Sequence, residues 1–277
     1  MKDKICFSVC MSVYIRDNAV HFKSAIESVT TNQTVKPDEV VLVCDGSVTE
    51  EIDGVIMQLQ DSLQMPLNLI RLPRNVGHAS ARQAALTAAK YEYVAIMDSD
   101  DIAEPDRFEK QISLLVKNPE VSILGGQINE FIDSIDNVVG RRIVPLENTA
   151  IKEYMKSRCP FNQQTVIMKR EDALRVGGYQ DWYCDEDYYL WIRMAMNGYK
   201  FMNLEDSLVN VRVGEEMYQR RGGSRYFKSE ALLQKYMYKN GIISFSRCLY
   251  NITLRFMVQV LMPNKVRSWV FQKFARS

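Results

Sequence analysis

"YEYVAIMDSDD", residues 91–101, is a short apolar run that stops at three carboxylates. Tyr93 to Met97 reads as a buried β-strand, because a short run with hardly a polar atom suits a strand covered on both faces. Asp98, Asp100 and Asp101 then crowd like charges where the strand should end. Such crowding is unfavourable unless a cation or hydrogen bonds neutralise it. In extended backbone, residues i and i+2 project to the same side. Asp98 and Asp100 are therefore expected to converge while Ser99 faces away. A divalent cation with oxygen ligands, Mg²⁺ or Mn²⁺, meets that demand with one or two carboxylates plus substrate phosphates. Helix capping, with Pro105 in the first turn of the next helix, suits Asp101 and leaves Asp98 unexplained. A calcium loop fails, because Ile102 and Ala103 stand at its fifth position and its required glycine.

Outward from this strand, residues 5–125 alternate strands with helices. Strands are expected at Ile5–Val13, Glu39–Cys44, Leu67–Leu72, Tyr93–Met97 and Val121–Leu124. Helices are expected at Val20–Thr30, Glu50–Ser62, Ala79–Lys90 and Asp106–Lys117, where apolar positions fall three or four apart. Alternation of this kind predicts an α/β fold with a mostly parallel, Rossmann-like sheet flanked by helices. Ligands of such sheets sit beyond the carboxyl ends of the strands. The residues there are Ser12 and Tyr14, Asp45-Gly46-Ser47, Asn75-Val76-Gly77 and Asp98 to Asp101, small or acidic groups suited to one polar ligand.

From 127 to 213 the pattern is mixed: "SILGGQINEFIDS" and "NVVGRRIVP" read as strands. "DEDYYLWIRMAMNG" reads as a helix with Leu190, Trp191 and Met194 inward and Gly198 as its stop. Residues 214–229 read as a polar, mobile loop, and 230–277 as a helical appendage interrupted at Pro263. The expected organisation is a main domain over 1–213, with halves 1–125 and 126–213, and a C-terminal region over 214–277.

Length and composition fit this: 277 residues, 47% hydrophobic and 25% charged, are ordinary globular material. The six cysteines form no C-x-x-C pair and read as reduced, buried thiols. Only His21 and His78 are present, which argues against a His-based metal cage or catalytic triad. The opening "MKDKICFSVCMSVYI" lacks a small-residue cleavage site and reads as a first core strand rather than a secretion signal. No stretch of about 18 uncharged apolar residues exists, so no spanning helix is expected. Charge is uneven despite a net value of +1. Glu230 is the last acid, and eight basic residues follow it, leaving 27 basic against 34 acidic side chains in the first 230 residues. Such asymmetry points to a charged partner surface.

The ordered set of "CDGS" after the second strand, "NVG" after the third and D-x-D after the fourth resembles the inverting family 2 glycosyltransferases of GT-A fold. Within that family, "MSVYIRDN", "MDSDDIAEPDRFEKQ", "CPFNQQTVIMKR", "DEDYYLWIRM" and "MYQRRGGSRY" are most similar to bacterial exopolysaccharide and capsule transferases of the amylovoran type. The resemblance implies a nucleotide-sugar donor. Ser12 and Tyr14 would line the base pocket, and Asp45 would accept from a uracil or thymine ring. Asn75, Gly77 and Arg82 would border ribose and diphosphate, Gly77 because backbone must come close there. Asp98, with Ser99 beside it, would touch ribose or a metal-bound water, and Asp100 would bind the cation. Asp187 would be the general base with Glu186 beside it, in a first helical turn whose dipole favours the ionised form. Arg220 and Arg221 would clamp the donor from a closing loop. Gln163 stands where relatives commonly carry histidine, so donor sugar preference or acceptor geometry is expected to differ.

The resemblance also implies an acceptor on an isoprenoid-diphosphate lipid. The basic tail, with Phe256, Val260, Trp269, Val270, Phe271 and Phe274 among its cations, is expected to meet an anionic membrane from the cytoplasmic side. No nucleic-acid motif accompanies the charge. Two rivals are weighed. A haloacid-dehalogenase-like phosphatase also uses D-x-D after a strand, but normally the earliest core strand. A non-catalytic nucleotide-sugar-binding module has only the Gln163 departure in its favour.

Overall fold

The computed structural model describes residues 5–214 and 222–262. Its opening half follows the alternation closely. Strands β1 (Phe7–Val13), β2 (Glu39–Cys44), β3 (Leu67–Arg71) and β4 (Tyr93–Met97) are joined by helices α1 (Ala19–Ser28), α2 (Glu50–Ser62) and α3 (His78–Ala88). They pair in parallel, with β1 between β2 and β4 and with β3 outside β2. Every residue of β2 and β4 is buried, as their continuous apolar runs require.

Alternation along the strands feeds two cores. Val9, Met11, Val40 and Leu42 face one side, where Phe22, Ile26, Ile52, Ile56 and Phe108 cover them. Cys10, Val41, Val43, Val94 and Ile96 face the other, against Ala81, Ala85 and Leu86 of α3. The small alanines let α3 lie close to the sheet, which positions its N-terminus beside the ends of β1 and β2.

Beyond β4, a short β5 (Ile102–Ala103) leads into α4 (Arg107–Lys117) and then β6 (Val121–Phe131), β7 (Val138–Arg142) and α5 (Asn148–Met155). A 3₁₀ turn at Gln163–Thr165 precedes β8 (Ile167–Lys169), α6 (Arg170–Arg175), α7 (Glu186–Met196) and β9 (Lys200–Arg212). The strand order is β3-β2-β1-β4-β8-β6-β9-β5, with β7 paired to β6. β8 runs antiparallel to β4 and β6, while β6 and β9 are parallel. The parallel order thus holds for the first four strands, and the sheet becomes mixed at β8. In α7, Leu190, Trp191 and Met194 are fully buried, and Gly198 follows the helix with φ +80°.

The expected loop over 214–229 is corrected in part. Helix α8 begins at Ser224 and runs to Lys239, with Gly223 before it at φ +88°. Its inward face carries Ser229 and Gln234 beside Leu233 and Met237, so its polar sequence concealed a helix. Helix α9 (Phe245–Phe256) follows and continues into a π-helical turn, Met257–Leu261. Trp182 packs against Tyr189 of α7, with ring centroids 4.4 Å apart, and Tyr236 of α8 closes the group on both. Trp182 Nε1 also donates to the Ser229 carbonyl at 3.2 Å. The tail from 263, including Trp269, Val270, Phe271 and Phe274, lies outside the described residues. Among the described residues no helix is long and apolar enough to cross a membrane.

Candidate active site

The carboxyl ends of β1, β2 and β4, the N-terminus of α3 and the N-terminus of α7 meet at one site. Beyond β2, Asp45 is buried and spends both carboxylate oxygens on the turn after β3. The Val76 N–H donates to Oδ1 at 2.7 Å and the Gly77 N–H to Oδ2 at 3.0 Å. Gly46 approaches that turn so closely that a Cβ would lie 2.6 Å from the Asn75 nitrogen, and its φ is +84°. At Gly77 a Cβ would meet nothing within 4 Å in the chain itself, which leaves the backbone open there, and φ +89° at the start of α3 favours glycine. Asn75 reaches back with a weak Nδ2 contact to the Asp45 carbonyl, 3.4 Å.

Beyond β1, the Tyr14 N–H donates to Asp17 Oδ2 at 3.0 Å, and Ser99 Oγ donates to the same oxygen at 2.8 Å. Asp17 therefore ties the β1 and β4 ends together, and burial raises its carboxyl above the usual range. Tyr14 lies with its ring 6.3 Å from that of His78. Ser12 borders a small cavity with Arg82, Ala85, Ile96 and Met97.

Residues 99–100 form a turn, so the alternation argument for Asp98 and Asp100 does not apply; the turn, and not extended backbone, gathers the acids. Asp101 points inward, where its Oδ1 accepts the Arg212 N–H at 2.9 Å. Burial pushes Asp101 well above the carboxylate range, and the charges of Asp100 and Asp98 push it further. Among the described residues no three His, Cys, Asp or Glu side chains close into a metal cage. Asp98 and Asp100 offer oxygen donors alone, a chemistry that fits Mg²⁺ or Mn²⁺ and not zinc.

Arg82 is the centre of the arrangement. It projects from α3 with its side chain 13% exposed, Nη2 at 2.7 Å from Asp98 Oδ1 and Nη1 at 2.5 Å from Glu186 Oε1. Burial opposes its charge, but Asp98 and Glu186 more than offset that, so Arg82 is held more firmly protonated than usual. One guanidinium therefore joins the D-x-D turn to the first turn of α7. Asp187 lies beside it, with Oδ1 accepting its neighbour Tyr188's N–H at 2.6 Å. Against the pull of the helix dipole, burial and the charge of Glu186 push Asp187 up to about 6, while Arg82 pulls it down. Gln163 donates Nε2 to the Tyr179 hydroxyl at 2.6 Å, and its buried Oε1 has no partner among the described residues. Arg82 and Asp187 both act electrostatically on Tyr179, which places the Gln163–Tyr179 pair at this site.

A family model, Glycosyl transferase family 2, matches residues 8–178. The chain belongs to the family 2 glycosyltransferases. Its relatives include proteins that match it nearly end to end. An Escherichia coli UDP-Gal:alpha-D-GlcNAc-diphosphoundecaprenol beta-1,3-galactosyltransferase is 36% identical, covering 98% of this chain and 96% of the relative. The amylovoran biosynthesis glycosyltransferase AmsE of Erwinia amylovora is 35% identical over 96% of this chain and 98% of its own. A solved structure, the mannosyltransferase PcManGT of Pyrobaculum calidifontis in complex with GDP-Man and Mn²⁺, shares the fold. Its TM-score is 0.65 at 18% identity, over 94% of this chain and 71% of that one. The GT-A fold and a glycosyl-transferring activity are therefore established.

Within this glycosyltransferase, Ser12, Tyr14, Asp45, Asn75, Gly77, Arg82, Asp98, Ser99, Asp100, Gln163, Glu186 and Asp187 all come from the elements that border the site. Arg220 and Arg221 fall outside the described residues. Sequence reading missed Asp17 and Tyr179, and also Arg142, whose Nη1 holds Asn162 Oδ1 at 2.7 Å and whose Nη2 holds the Cys159 carbonyl at 2.7 Å. Arg142 fixes the segment that carries Gln163 and lowers Asp187 electrostatically. The quoted motif "CPFNQQT" was its signal, since a segment of such polarity inside a buried half needs an organiser.

Proposed function

We propose that the enzyme transfers one sugar, with inversion, from a UDP- or dTDP-sugar to a hydroxyl of a lipid-linked surface-glycan intermediate at an anionic membrane surface. The observation that carries this is the line from the D-x-D turn through Arg82 to Glu186 and Asp187. Asp187 would take the proton of the acceptor hydroxyl as that oxygen attacks the anomeric carbon. The bond from the sugar to the nucleotide breaks in the same displacement, and its electron pair leaves with the diphosphate. A base with a value near 6 is ionised at neutral pH yet basic enough to draw the proton, which suits general-base work. Asp98 and Asp100 would hold Mn²⁺ or Mg²⁺, which when bound neutralises charge on the departing diphosphate. The Mn²⁺ in the mannosyltransferase complex supports use of a divalent cation, and the lipid-linked substrate in the name of the E. coli relative supports the acceptor class.

Asp45 holds the 75–77 turn and keeps a second lone pair on each oxygen for the base. Tyr14, positioned by Asp17, would lie against that base. Family membership removes the phosphatase reading. The binding-module reading differs by one experiment: UDP- and dTDP-sugars incubated with Mn²⁺ or Mg²⁺ and scored for free nucleotide. The expected result is release from one donor, lost in Asp187→Asn while calorimetric binding of UDP with Mn²⁺ persists. Release that Asp187→Asn leaves intact sinks the assignment of the base, and binding of UDP without any release sinks catalysis.

A further inference from the structure

We propose that α9 and the turn that follows it form an in-plane foot that seats the enzyme on an anionic phospholipid bilayer. The inference rests on the lipid-linked acceptor reading for its purpose, but its structural basis is separate. Helix α9 sets Cys248 and Ile252 against the core and yet leaves a broad apolar face to solvent. Its outward face carries Phe245, Leu249, Tyr250, Leu254, Met257 and Leu261, all exposed, with Phe245 at 63% and Leu261 at 61%. Its inward face carries Cys248, Asn251, Arg255 and Gln259, mostly polar. Exposed apolar residues are ordinary when scattered, whereas a continuous stripe along one helix marks an interaction surface.

The polar inner face fixes which way the stripe points. Asn251 Nδ2 donates to the Lys156 carbonyl at 2.9 Å and to Gln234 Oε1 at 2.8 Å. Arg255 Nη2 donates to the Ser157 carbonyl at 2.6 Å, and its Nε lies 3.1 Å from Glu230 Oε2. Gln259 donates to the same Glu230 oxygen. Rolling the helix to hide its apolar side would break all of these and strand Glu230, which is 12% exposed. The stripe therefore stays outward.

Charge selects the occupant. No acidic residue follows Glu230, and Lys235, Lys239 and Arg247 are exposed on α8 and α9. An apolar face on helices whose exposed charges are cationic matches a headgroup layer of anionic lipid. A second copy is disfavoured, because a two-fold contact would set the same cationic region against itself. The anchoring also reaches the site: Glu230 and Arg255 both act on Asp185, whose Oδ2 accepts Ser229 Oγ at 3.1 Å one residue before Glu186. The foot and the first turn of α7 thus share one polar cluster, so docking would present the site at a set height and tilt above the bilayer.

The test is flotation of the full-length protein with phosphatidylcholine vesicles, with or without about one-third phosphatidylglycerol, at low and high salt. The expected result is recovery with the anionic vesicles, weakened by salt. Leu249→Ser combined with Leu254→Ser should weaken recovery by about tenfold or more, since each side chain adds apolar area to the bound state. Circular dichroism and nucleotide release in solution should be unchanged, because neither leucine touches the site. Should the pair misfold, Leu249→Ser alone is expected to give a smaller loss in the same direction. Absence of the protein from anionic vesicles overturns the proposal, whether the stripe is covered by residues 263–277 or by nothing. Light scattering that shows a dimer, dispersed by the same substitutions, assigns the stripe to a second copy and overturns it equally. Flotation without nucleotide release from any donor would leave the foot standing and remove the glycosyl-transfer reading.

Discussion

Asp187 is pushed up to about 6 by burial and by Glu186, and that value sets a pH limb. A base must be ionised, so donor-dependent transfer should fall about tenfold per pH unit below 6 and level off above it, as a pH–rate profile would show. Asp187→Asn should lower turnover by roughly 10²–10⁴-fold. The sign for stability is opposite. The folded form holds this proton more tightly than the unfolded chain, so the stability it contributes is present below about pH 4 and is lost as pH rises through about 6. Arg82 pulls Asp187 downward, so Arg82→Gln should move the kinetic limb to higher pH as well as weaken donor binding. A limb that stays in place would show that Arg82 does not reach Asp187. Asp98 and Asp100 stood out in the sequence because like charges crowd there at a strand end. Glu186 and Asp187, ordinary acids for a first helical turn, were singled out only through the family resemblance. Asp17, Arg142 and Tyr179 were not legible, because their partners lie at 99, 162 and 163, and only folding brings those together.

At the scale of elements, the opening alternation was legible because β2 and β4 are buried end to end and α1 to α4 carry clear apolar faces. The start of α8 was not, since Ser229 and Gln234 occupy buried positions that apolar residues normally fill. The β2–α2 connection offers a sharp prediction. Gly46→Ala must place a side chain at φ +84° and 2.6 Å from the Asn75 nitrogen. It should cost about 1–3 kcal/mol in denaturant unfolding and weaken UDP binding, because the 75–77 turn would have to withdraw. A fully stable Gly46→Ala that binds UDP normally would show that this turn is free to move.

For the whole molecule, ligand and fold are linked. A donor nucleotide that binds only the folded form at 100 times its Kd stabilises by about 2.7 kcal/mol. For a chain of this size that is a rise of several degrees in Tm. UDP with Mn²⁺ should give the full rise, UDP alone less, and Asp100→Asn should remove the metal-dependent part. The proposed boundary at 213 belongs to this scale too: α8 and α9 lie beyond it but lock onto Ser157, Lys156 and Asp185 through polar contacts. We expect them to unfold with the main body in one transition.

The stack of Trp182 on Tyr189 and Tyr236 has a practical consequence. Its indole sits at the seam between α7 and α8, bonded to the Ser229 carbonyl, whereas Trp191 is sealed in the core. Emission from Trp182 should therefore change whenever that seam opens or tightens, and Trp182→Phe would identify its share. The chain carries its own optical gauge of how the C-terminal helices rest on the catalytic body, and no dye need be attached.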